Sequence, residues 1–374
     1  GGKSVPRGCE IMRFLFGIKS LTVCRGGAER VLTNLCSELA DRGHEVFVVT
    51  FDKPKRKILY PMNHKITVIK TDAGDTRKET SVFDFIWRIF TLRKVTRKVN
   101  PDVVIGFMSS IFILFAFSLI GTKYLLVASE HIVPQYYKKR RLEFCLLIFA
   151  GMLSKKITVV SNSVKQLYPR IIRHKIVVIN NPVIIKGCNP NVGSDKTTIL
   201  NIGRLNYQKD HETLIRAFAL LHNKYPEWSL RIVGDGDLRS FLQELSRKLL
   251  VDSKVIFVGS VENIEEEYKS ASFFAMSSLF ESFGLVTVEA MACQLPVVGF
   301  QNCPGTNELV VDKVNGILVS GSDRVNNFSA GMELLMTDKK LYESLKKNTK
   351  KTVERFSIKV VTSKWEKLLR KVAN

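Results

Sequence analysis

Two glutamates eight positions apart stand out as residues that could do chemistry. Glu281 and Glu289 follow the apolar run 271–276, and Gly284 lies between them at the start of a helical pattern. A strand, a glycine-bearing loop and a helix start leave backbone N–H groups and a positive dipole end pointing outward, where phosphate binds readily. Ionised carboxylates do not attract phosphate, so we expect both glutamates to accept hydrogen bonds from hydroxyl groups. The pattern predicts a ligand with a central diphosphate and hydroxylated rings at both ends, as in a nucleotide sugar.

A second candidate for diphosphate chemistry is the loop after the strand-like run 198–202. It contains Gly203, Arg204 and Lys209, and Asp210 stands where the N-cap of the next helix is expected. Fixed cations can neutralise a diphosphate and stabilise the charge that develops on a departing nucleoside diphosphate. Because these cations supply the charge that a metal ion would bring, and no His/Cys cluster occurs in the sequence, we expect no metal and no other cofactor.

The first half of the chain opens with a strand-like run at 13–18 and the adjacent Gly26 and Gly27. Glycines at a strand-to-helix turn let another molecule approach the backbone closely. A dinucleotide-binding turn is a rival interpretation, because Asp52 follows at about the right distance, but the third glycine of that motif is missing. A plain tight turn is the other alternative.

His131 closes the tripeptide Ser129-Glu130-His131, directly after the strand-like run 124–128. In an open parallel sheet, groups just beyond the carboxyl ends of the strands line the ligand crevice. His131 is therefore a candidate for a functional role, although a lone histidine is more often structural.

Two basic, aromatic segments offer a different chemistry. A helical pattern over 81–100 joins aromatic residues near its start to a basic second half that includes Arg93 and Lys94, which suits either anionic lipid or the outer face of an α/β sheet. The second basic segment consists of Tyr136, Tyr137, Lys138, Lys139, Arg140 and Arg141. Four cations beside two tyrosines suit a pyrophosphate head group or a membrane surface. The alternative is that the segment is only the solvated start of a helix.

Length, charge and cysteine content narrow the class of protein. A chain of 374 residues is long for one core and favours two domains. The net charge of +22 is concentrated in residues 1–183, which hold 31 Lys and Arg against 13 Asp and Glu. Such a basic half favours phosphates or an anionic membrane surface, and no recognition-helix, zinc-finger or RNA-binding aromatic signature supports nucleic acid. The seven cysteines are widely spaced and odd in number, which predicts thiols in a reducing compartment.

The motif context of Glu281 and Glu289 resembles the signature of family 4 of the retaining nucleotide-sugar glycosyltransferases. The similarity covers nearly the whole chain from Met12, and it includes Gly-Gly-Ala-Glu-Arg at 26–30, Ser-Glu-His at 129–131 and Gly-Arg-Leu at 203–205. This resemblance implies the GT-B fold: an α/β architecture of two doubly wound, parallel-sheet Rossmann-like domains that face each other across a cleft.

The resemblance also implies roles for individual residues. Glu281 binds sugar hydroxyls and Glu289 the ribose, while Arg204 and Lys209 stabilise the leaving diphosphate. His131 contacts the transferred sugar without acting as a general base, because retention in this family is ascribed to attack on the face from which the leaving group departs. Glu281, His131, Arg204 and Lys209 are thus the expected catalytic residues. Further donor-binding residues are Gly26, Gly27, Gly203, Gly259, Phe283, Gly284, Leu285 and Val286.

The expected domain organisation has five parts. Residues 1–11 form an extension or an expression remnant, and 12–182 form an acceptor-binding domain. A linker at 183–196 precedes the nucleotide-sugar-binding domain at 197–355. Residues 356–374 are expected to form a helix that packs back onto the first domain.

The motifs together with the resemblance predict a retaining, metal-independent glycosyltransferase that moves a hexose or N-acetylhexosamine from a nucleotide sugar to a glycan acceptor. A UDP-sugar is favoured and a GDP-sugar is the alternative. The basic first half suggests a lipid-linked acceptor and peripheral contact with the anionic, cytoplasmic face of the cell membrane, in cell-surface glycan synthesis. Two rivals stay open: a GT-B nucleotide-sugar epimerase or phosphorylase, and a basic nucleic-acid-binding protein.

Overall fold

A computed structural model describes residues 10–23, 26–76, 81–137, 140–184 and 197–374 of the chain. The chain divides into two compact units. The first unit is Gly1–Pro182 with Ile358–Asn374, and the second is Val183–Ser357. Lys138 and Lys139, most of the expected extension and most of the expected linker lie outside the described residues.

The first unit is built on a sheet of seven parallel strands. They are β1 (Arg13–Gly17), β2 (Glu45–Thr50), β3 (Thr67–Lys70), β4 (Val103–Phe107), β5 (Leu125–Ser129), β6 (Lys156–Val159) and β7 (Ile176–Val178). The sheet order is β3-β2-β1-β4-β5-β6-β7. The central strand β4 is buried along its whole length, as a parallel sheet covered on both faces requires. Because the strand order reverses between β1 and β4, a ligand crevice is expected at the carboxyl ends of these strands.

Seven helices accompany this sheet in the part of the first unit that the structure describes. They are α1 (Gly27–Asp41), α2 (Val82–Val99), α3 (Ser109–Ser118), α4 (Arg141–Leu153), α5 (Asn162–Leu167), α6 (Arg170–Arg173) and the last helix of the chain, α14 (Ile358–Ala373). The predicted apolar helix near 111–120 is α3, and most of its residues are buried. Within the described ranges, no helix combines the length and the apolar character needed to cross a membrane.

Helix α14 belongs to the first unit although it follows the second in sequence. Its apolar stripe, which includes Val361, Trp365 and Leu369, is buried. Glu366 on the same helix forms an ion pair of 3.1 Å with Arg42. This helix is therefore fixed to the first unit by both apolar burial and charge.

Helix α2 departs from the simple amphipathic pattern. Its buried positions are Arg88, Leu92, Thr96 and Val99, whereas Phe83 is 86% exposed and Phe90 is 66% exposed. The buried guanidinium of Arg88 donates from Nε to the carbonyl oxygen of Ala73 at 2.8 Å and lies over the ring of Phe51, 4.7 Å from its centroid. The helix thus buries a cation and leaves aromatic rings on the surface.

The second unit contains a parallel sheet of six strands. They are β8 (Thr198–Ile202), β9 (Ser229–Val233), β10 (Val255–Gly259), β11 (Phe273–Met276), β12 (Val297–Phe300) and β13 (Gly316–Val319). The order is β10-β9-β8-β11-β12-β13, so the strand order reverses between β8 and β11. The two parallel sheets confirm the predicted α/β fold class.

Among the described residues of the second unit, seven helices cover the sheet. They are α7 (His211–His222), α8 (Arg239–Lys248), α9 (Ile264–Ser270), α10 (Leu285–Ala292), α11 (Thr306–Leu309), α12 (Arg324–Thr337) and α13 (Lys339–Glu354). The largest core of the unit is formed around residues such as Phe218, Phe273 and Phe328. Cys293, just after α10, is disulfide-bonded, which corrects the prediction of a free thiol at this position. Cys36, Cys145 and Cys303 are free thiols, as predicted.

Candidate active site

The reversal point of the second sheet brings two of the predicted motifs together. The loop 203–210 follows β8 and the loop 277–284 follows β11, and these two strands are hydrogen-bonded neighbours. Ligands of open α/β sheets bind at the carboxyl ends of the strands on either side of such a reversal. Both loops therefore lie where a ligand site is expected.

Lys209 and Glu281 form an ion pair at this point. Lys209 Nζ donates to Glu281 Oε1 at 2.7 Å, and the two side chains are only 17% and 9% exposed. The alkyl chain of Lys209 packs over Gly203, where a Cβ atom would lie 3.1 Å from the lysine carbons. The lack of a side chain at Gly203 therefore leaves room for the alkyl chain of Lys209, and the ion pair fixes the position of Nζ.

Backbone and side-chain hydrogen bonds tie the two loops to each other. Leu279 N donates to the Gln208 carbonyl oxygen at 2.9 Å, and Gln208 Nε2 donates to the Phe280 carbonyl oxygen at 2.9 Å. The hydroxyl of Ser277 donates to the Lys209 carbonyl oxygen at 2.8 Å. The geometry of the ion pair thus rests on three contacts between the loops rather than on the flexible lysine chain alone.

A second ion pair, between Arg324 and Asp210, connects the same two loops. Asp210 adopts a left-handed conformation with φ of 48° and caps α7, as predicted, by accepting from Thr213 N at 3.4 Å. Arg324 lies 3.0 Å from Asp210 and donates to the Ser277 carbonyl oxygen at 2.8 Å. Arg324 was not predicted, because it lies far from both loops in sequence. Arg204 precedes this group in the loop and is exposed.

Helix α10 begins at the predicted glycine. Gly284 has φ of +84°, a backbone conformation that glycine adopts without strain, and it directly precedes Leu285 and Val286 in the first turn. Phe283 is buried and packs edge-on against Phe356 at 5.3 Å. Any donor contact from Phe283 therefore comes from its backbone.

Glu289 lies in the second turn of α10 and is 4% exposed. Its Oε2 accepts a hydrogen bond of 2.9 Å from the hydroxyl of Tyr268 on α9. Burial together with this bond fixes the orientation of the carboxylate. A ribose that reached Glu289 would thus meet an oriented acceptor.

Three glycines lie close together at the carboxyl ends of β8, β9 and β10. Gly234 N donates to the Gly259 carbonyl oxygen at 2.8 Å, and Gly203 N donates to the Val233 carbonyl oxygen at 2.9 Å. Gly234 and Gly259 have φ of +130° and +81°. A Cβ atom at Gly234 would clash with the carbonyl group of Gly203. The absence of side chains on these glycines lets the ends of the three strands pack backbone against backbone, with the alkyl chain of Lys209 over Gly203.

The loop before α11 also contacts Glu281. Glu281 N donates to the Pro304 carbonyl oxygen at 3.0 Å. A Cβ atom on Gly305 would lie 2.7 Å from the carbonyl oxygen of Glu281. This loop therefore supports the backbone of Glu281.

In the first unit, Gly26 caps α1 and Gly27 is its first residue. The dinucleotide interpretation depended on Asp52, but this carboxylate is buried and accepts hydrogen bonds from its own unit. It accepts hydrogen bonds from Ser20 Oγ at 2.5 Å, Leu21 N at 2.7 Å and Thr22 Oγ1 at 2.6 Å. Asp52 thus orders the loop after β1 and is not presented to a ribose.

His131 follows β5 and is held by hydrogen bonds and ring contacts. Its Nε2 lies 2.9 Å from Ser129 Oγ, which in turn accepts from Thr158 Oγ1 at 2.9 Å. The ring stacks on Phe107 at 4.5 Å, and Phe107 stacks on Trp365 of α14 at 6.1 Å. Burial lowers the pKa of His131 to about 4, and the Asn181 side chain opposes this shift. The imidazole is therefore neutral at physiological pH.

Glu130 is a buried carboxylate beneath His131. Its Oε1 accepts from His131 N at 2.8 Å and from Ile132 N at 2.9 Å, and its Oε2 accepts from the Tyr137 hydroxyl at 3.1 Å. Burial raises the pKa of Glu130 to about 7, although these hydrogen bonds oppose the shift. Glu130 was not among the predicted site residues, yet it fixes the turn that carries His131.

In the described part of the first unit, the basic segments have few ion pairs of the kind that connect the loops 203–210 and 277–284. Tyr136 is half exposed, and the guanidinium of Arg140 lies over its ring, 5.1 Å from the centroid. Arg141 begins α4 and is exposed. Arg93 on α2 donates to the carbonyl oxygens of Ser118 and Ile120 near the end of α3, at 3.4 and 3.2 Å, while Lys94 is exposed.

Across the described ranges, no group of three or more His, Cys, Asp or Glu side chains could hold a metal ion. Three cations lie in or beside the two loops: Lys209, Arg204 and Arg324.

Comparison with known proteins identifies the class and then the family. Solved structures with the same fold include sucrose-phosphate synthase from Thermosynechococcus elongatus, with a TM-score of 0.83 at 18% identity over 96% of this chain and 98% of that one. Anabaena HepE in complex with UDP and glucose gives a TM-score of 0.76 at 19% identity over 96% and 99% of the two chains. The chain thus has the GT-B fold of glycosyltransferases.

Two family models match adjacent parts of the chain. The model for Glycosyltransferase Family 4 matches residues 25–186, and the model for Glycosyl transferases group 1 matches residues 189–352. The chain therefore belongs to the glycosyltransferases that carry these two domains, as the sequence motifs predicted.

Two bacterial relatives match this chain along almost its whole length. One is an α-1,4-N-acetyl-D-galactosaminyltransferase of Campylobacter jejuni whose named acceptor is a glycan on PP-undecaprenol; it is 27% identical over 97% of this chain and 100% of its own length. An uncharacterized glycosyltransferase of Haemophilus influenzae is 26% identical over 92% and 96% of the two chains.

Proposed function

We propose that this glycosyltransferase moves a hexose or N-acetylhexosamine from a nucleotide sugar to a lipid-linked glycan, with retention of anomeric configuration and without a metal ion. A UDP-sugar is the favoured donor and a GDP-sugar the alternative. The observation that carries this proposal is the largely buried ion pair of Lys209 and Glu281, which joins a cation and a hydroxyl acceptor at the reversal point of the second sheet.

The cation of this pair would act on the leaving group. Lys209 Nζ is held at one distance from Glu281, so little reorganisation is needed when negative charge develops on the departing diphosphate. The exposed Arg204 and the N–H groups at the start of α10 would add further positive potential.

The carboxylate of the pair would bind the sugar. Lys209 occupies Oε1 of Glu281, and no described residue donates a hydrogen bond to Oε2. Oε2 is therefore the acceptor that we assign to a sugar hydroxyl. Glu289, oriented by Tyr268, is the corresponding acceptor for the ribose.

His131 would contact the transferred sugar through a hydrogen bond. A histidine whose pKa is about 4 is a weak base at neutral pH, which argues against deprotonation of the acceptor by this residue. This property supports a mechanism in which the acceptor attacks the face from which the nucleoside diphosphate departs, and the leaving diphosphate itself receives the proton.

A lipid-linked acceptor would bring the enzyme to the cytoplasmic face of the cell membrane. Two observations support this assignment: the named acceptors of Campylobacter relatives are linked to undecaprenol diphosphate, and α2 exposes Phe83, Trp87 and Phe90 beside basic residues. Aromatic side chains next to cations suit the interface of an anionic bilayer.

The donor assignment is tested by thermal unfolding with UDP, GDP, their sugars and oligonucleotides, in the absence of added metal. A ligand that binds only the folded state raises the Tm. We expect UDP or GDP to stabilise the native protein and Lys209→Ala to lose the effect. Lys224→Ala is the matched control, because Lys224 forms an exposed ion pair with Glu333. Stabilisation by oligonucleotides alone would contradict the proposal and favour nucleic-acid binding.

The epimerase and phosphorylase alternatives are separated by product analysis. A transferase converts the donor to a glycoside of the added acceptor, whereas those enzymes release free sugar or sugar phosphate without one. Release of either product at the same rate with and without acceptor would contradict transfer.

A further inference from the structure

The first unit contains a cavity of about 470 Å³, and none of the residues that we assign to the donor lines it. It lies between the turn Pro134–Tyr137, helix α4 and the end of α5. Its volume falls within the range of about 300–1,000 Å³ that is usual for small-molecule sites.

The cavity combines an apolar wall with one cation. Tyr137 and Phe144 stack at 5.9 Å, and Pro134, Cys145 and Leu167 complete most of the remaining wall. Arg141, in the first turn of α4, is the only fully charged side chain among the described residues that line the cavity, and it is exposed. This arrangement suits an amphiphile that buries a chain and leaves an anionic group at the arginine.

The cavity opens on an apolar part of the surface. Leu167 both lines the cavity and is 40% exposed, and the neighbouring Leu142 is 75% exposed. Phe149, further along α4, connects through Phe117 to Phe85 of α2, with ring distances of 5.6 and 5.8 Å. A contiguous set of rings thus runs from the helix of the cavity to the helix that exposes Phe83 and Phe90.

The cavity wall is also connected to the turn that carries His131. Tyr137 donates to Glu130 Oε2 at 3.1 Å, and Glu130 Oε1 accepts from His131 N at 2.8 Å. A molecule seated against Tyr137 therefore lies two hydrogen bonds from the backbone of the residue that we assign to the transferred sugar.

We propose that this cavity binds the first segment of the prenyl chain of the acceptor, with its diphosphate at Arg141. This inference rests on the lipid-linked acceptor proposed above, and it adds a place for the carrier rather than for the glycan. The chain would leave the bilayer along the exposed apolar surface, and the glycan on the diphosphate would extend toward His131.

The position of Cys145 in the wall provides a direct test. This free thiol is exposed, so its reaction with a maleimide can be followed by peptide mass spectrometry in the full-length native protein. Farnesyl diphosphate is the probe, with farnesol and inorganic diphosphate as partial analogues. We expect farnesyl diphosphate to slow labelling of Cys145 at least about fivefold, and each analogue at the same concentration to slow it less than twofold.

The cation is tested by substitution. Arg141→Gln should raise the concentration of farnesyl diphosphate needed for protection about tenfold, because a charge-assisted contact is lost. Arg170→Gln removes an exposed charge near α4 outside the cavity and should leave protection unchanged. Equal loss in both variants would show a general charge effect and overturn the assignment of Arg141.

Two other outcomes would overturn the proposal. Labelling of Cys145 at an unchanged rate with farnesyl diphosphate would show that no such chain enters the cavity. Equal protection by phosphatidylglycerol vesicles would assign the cavity to bilayer lipid instead of the carrier. UDP-dependent stabilisation, measured on the same samples, reports on the donor site separately, so failure of the donor assignment and failure of this inference are distinguishable.

Discussion

The loops 203–210 and 277–284 of the second unit contain a buried ion pair, whereas burial favours neutral side chains around His131 in the first unit. Lys209 and Glu281 form a largely buried ion pair, with 2.7 Å between Nζ and Oε1. His131 and Glu130 are shifted toward their neutral forms by burial, with pKa values of about 4 and about 7. Cations near His131 remain on the surface, beside exposed aromatic rings.

This difference matches the ligands that we assign to the two units. A diphosphate carries charge throughout the reaction, so a fixed ion pair can be oriented for it in advance. A sugar hydroxyl and a lipid chain carry none, so neutral hydrogen-bonding groups and apolar surface suit them better. Four substitutions test this contrast.

The largest effect is expected for Lys209→Ala. It removes the fixed cation and leaves the carboxylate of Glu281 buried without its partner. We expect kcat to fall about a thousandfold, as for the loss of a charge-stabilising group in other active sites. Initial rates measured with Lys224→Ala as control provide the test. A loss below tenfold would show that the pair is structural.

His131→Ala should have a smaller effect on catalysis and little on nucleotide binding. Loss of a hydrogen bond that strengthens in the transition state should lower kcat roughly ten- to hundredfold, while stabilisation by UDP persists. His131→Asn, which keeps a hydrogen-bonding group, should recover part of the rate. Equal inactivity of the two variants would instead support a role as base.

Glu130→Gln tests the neutral character of the first-unit site through the pH dependence of stability. Because burial raises the pKa of Glu130 from 4.5 to about 7, the folded state holds a proton that the unfolded state releases in this window. The contribution of Glu130 is therefore fully present below pH 4.5 and is lost as the pH rises through 7.

Glutamine does not titrate, so the variant should gain stability relative to the native protein between pH 4.5 and 8, by roughly 3 kcal/mol. Denaturant unfolding of both proteins at several pH values measures the difference. The opposing contribution of His131, whose pKa is lowered, is present in both proteins and cancels. A difference that does not vary with pH would refute a raised pKa at Glu130.

Phe83→Ser should give the smallest effect. It removes one exposed ring from α2, and binding to phosphatidylglycerol vesicles should weaken about fivefold. Phe241→Ser is the control, since Phe241 is an exposed phenylalanine of α8 in the second unit. Sedimentation with vesicles measures both variants, and equal behaviour would remove α2 from the proposed membrane contact.

The alternation of strands and helices could be predicted from the sequence because parallel strands need continuous apolar runs. The buried face of α2 could not. Arg88 is buried there because Ala73 and the ring of Phe51, both outside the helix, provide its partners. Periodicity within the helix contains no information about those partners.

In the candidate site, too, residues of local motifs could be predicted, whereas residues whose role depends on distant partners could not. Lys209, Asp210 and Glu281 belong to local motifs, and the sequence indicated them. Arg324 and Glu130 were missed for different reasons. Arg324 reaches Asp210 from 114 positions away. Glu130 was part of a recognised tripeptide, but its burial and its bond to Tyr137 depend on the fold.

The most direct test of the central claim is a transfer assay with UDP-sugars and a prenyl-diphosphate-linked glycan, followed by NMR analysis of the new linkage. The account predicts an α-linked product from an α-linked donor, formed without added metal and lost in Lys209→Ala. A β-linked product, or donor turnover that yields no glycoside of the lipid-linked acceptor, would contradict it.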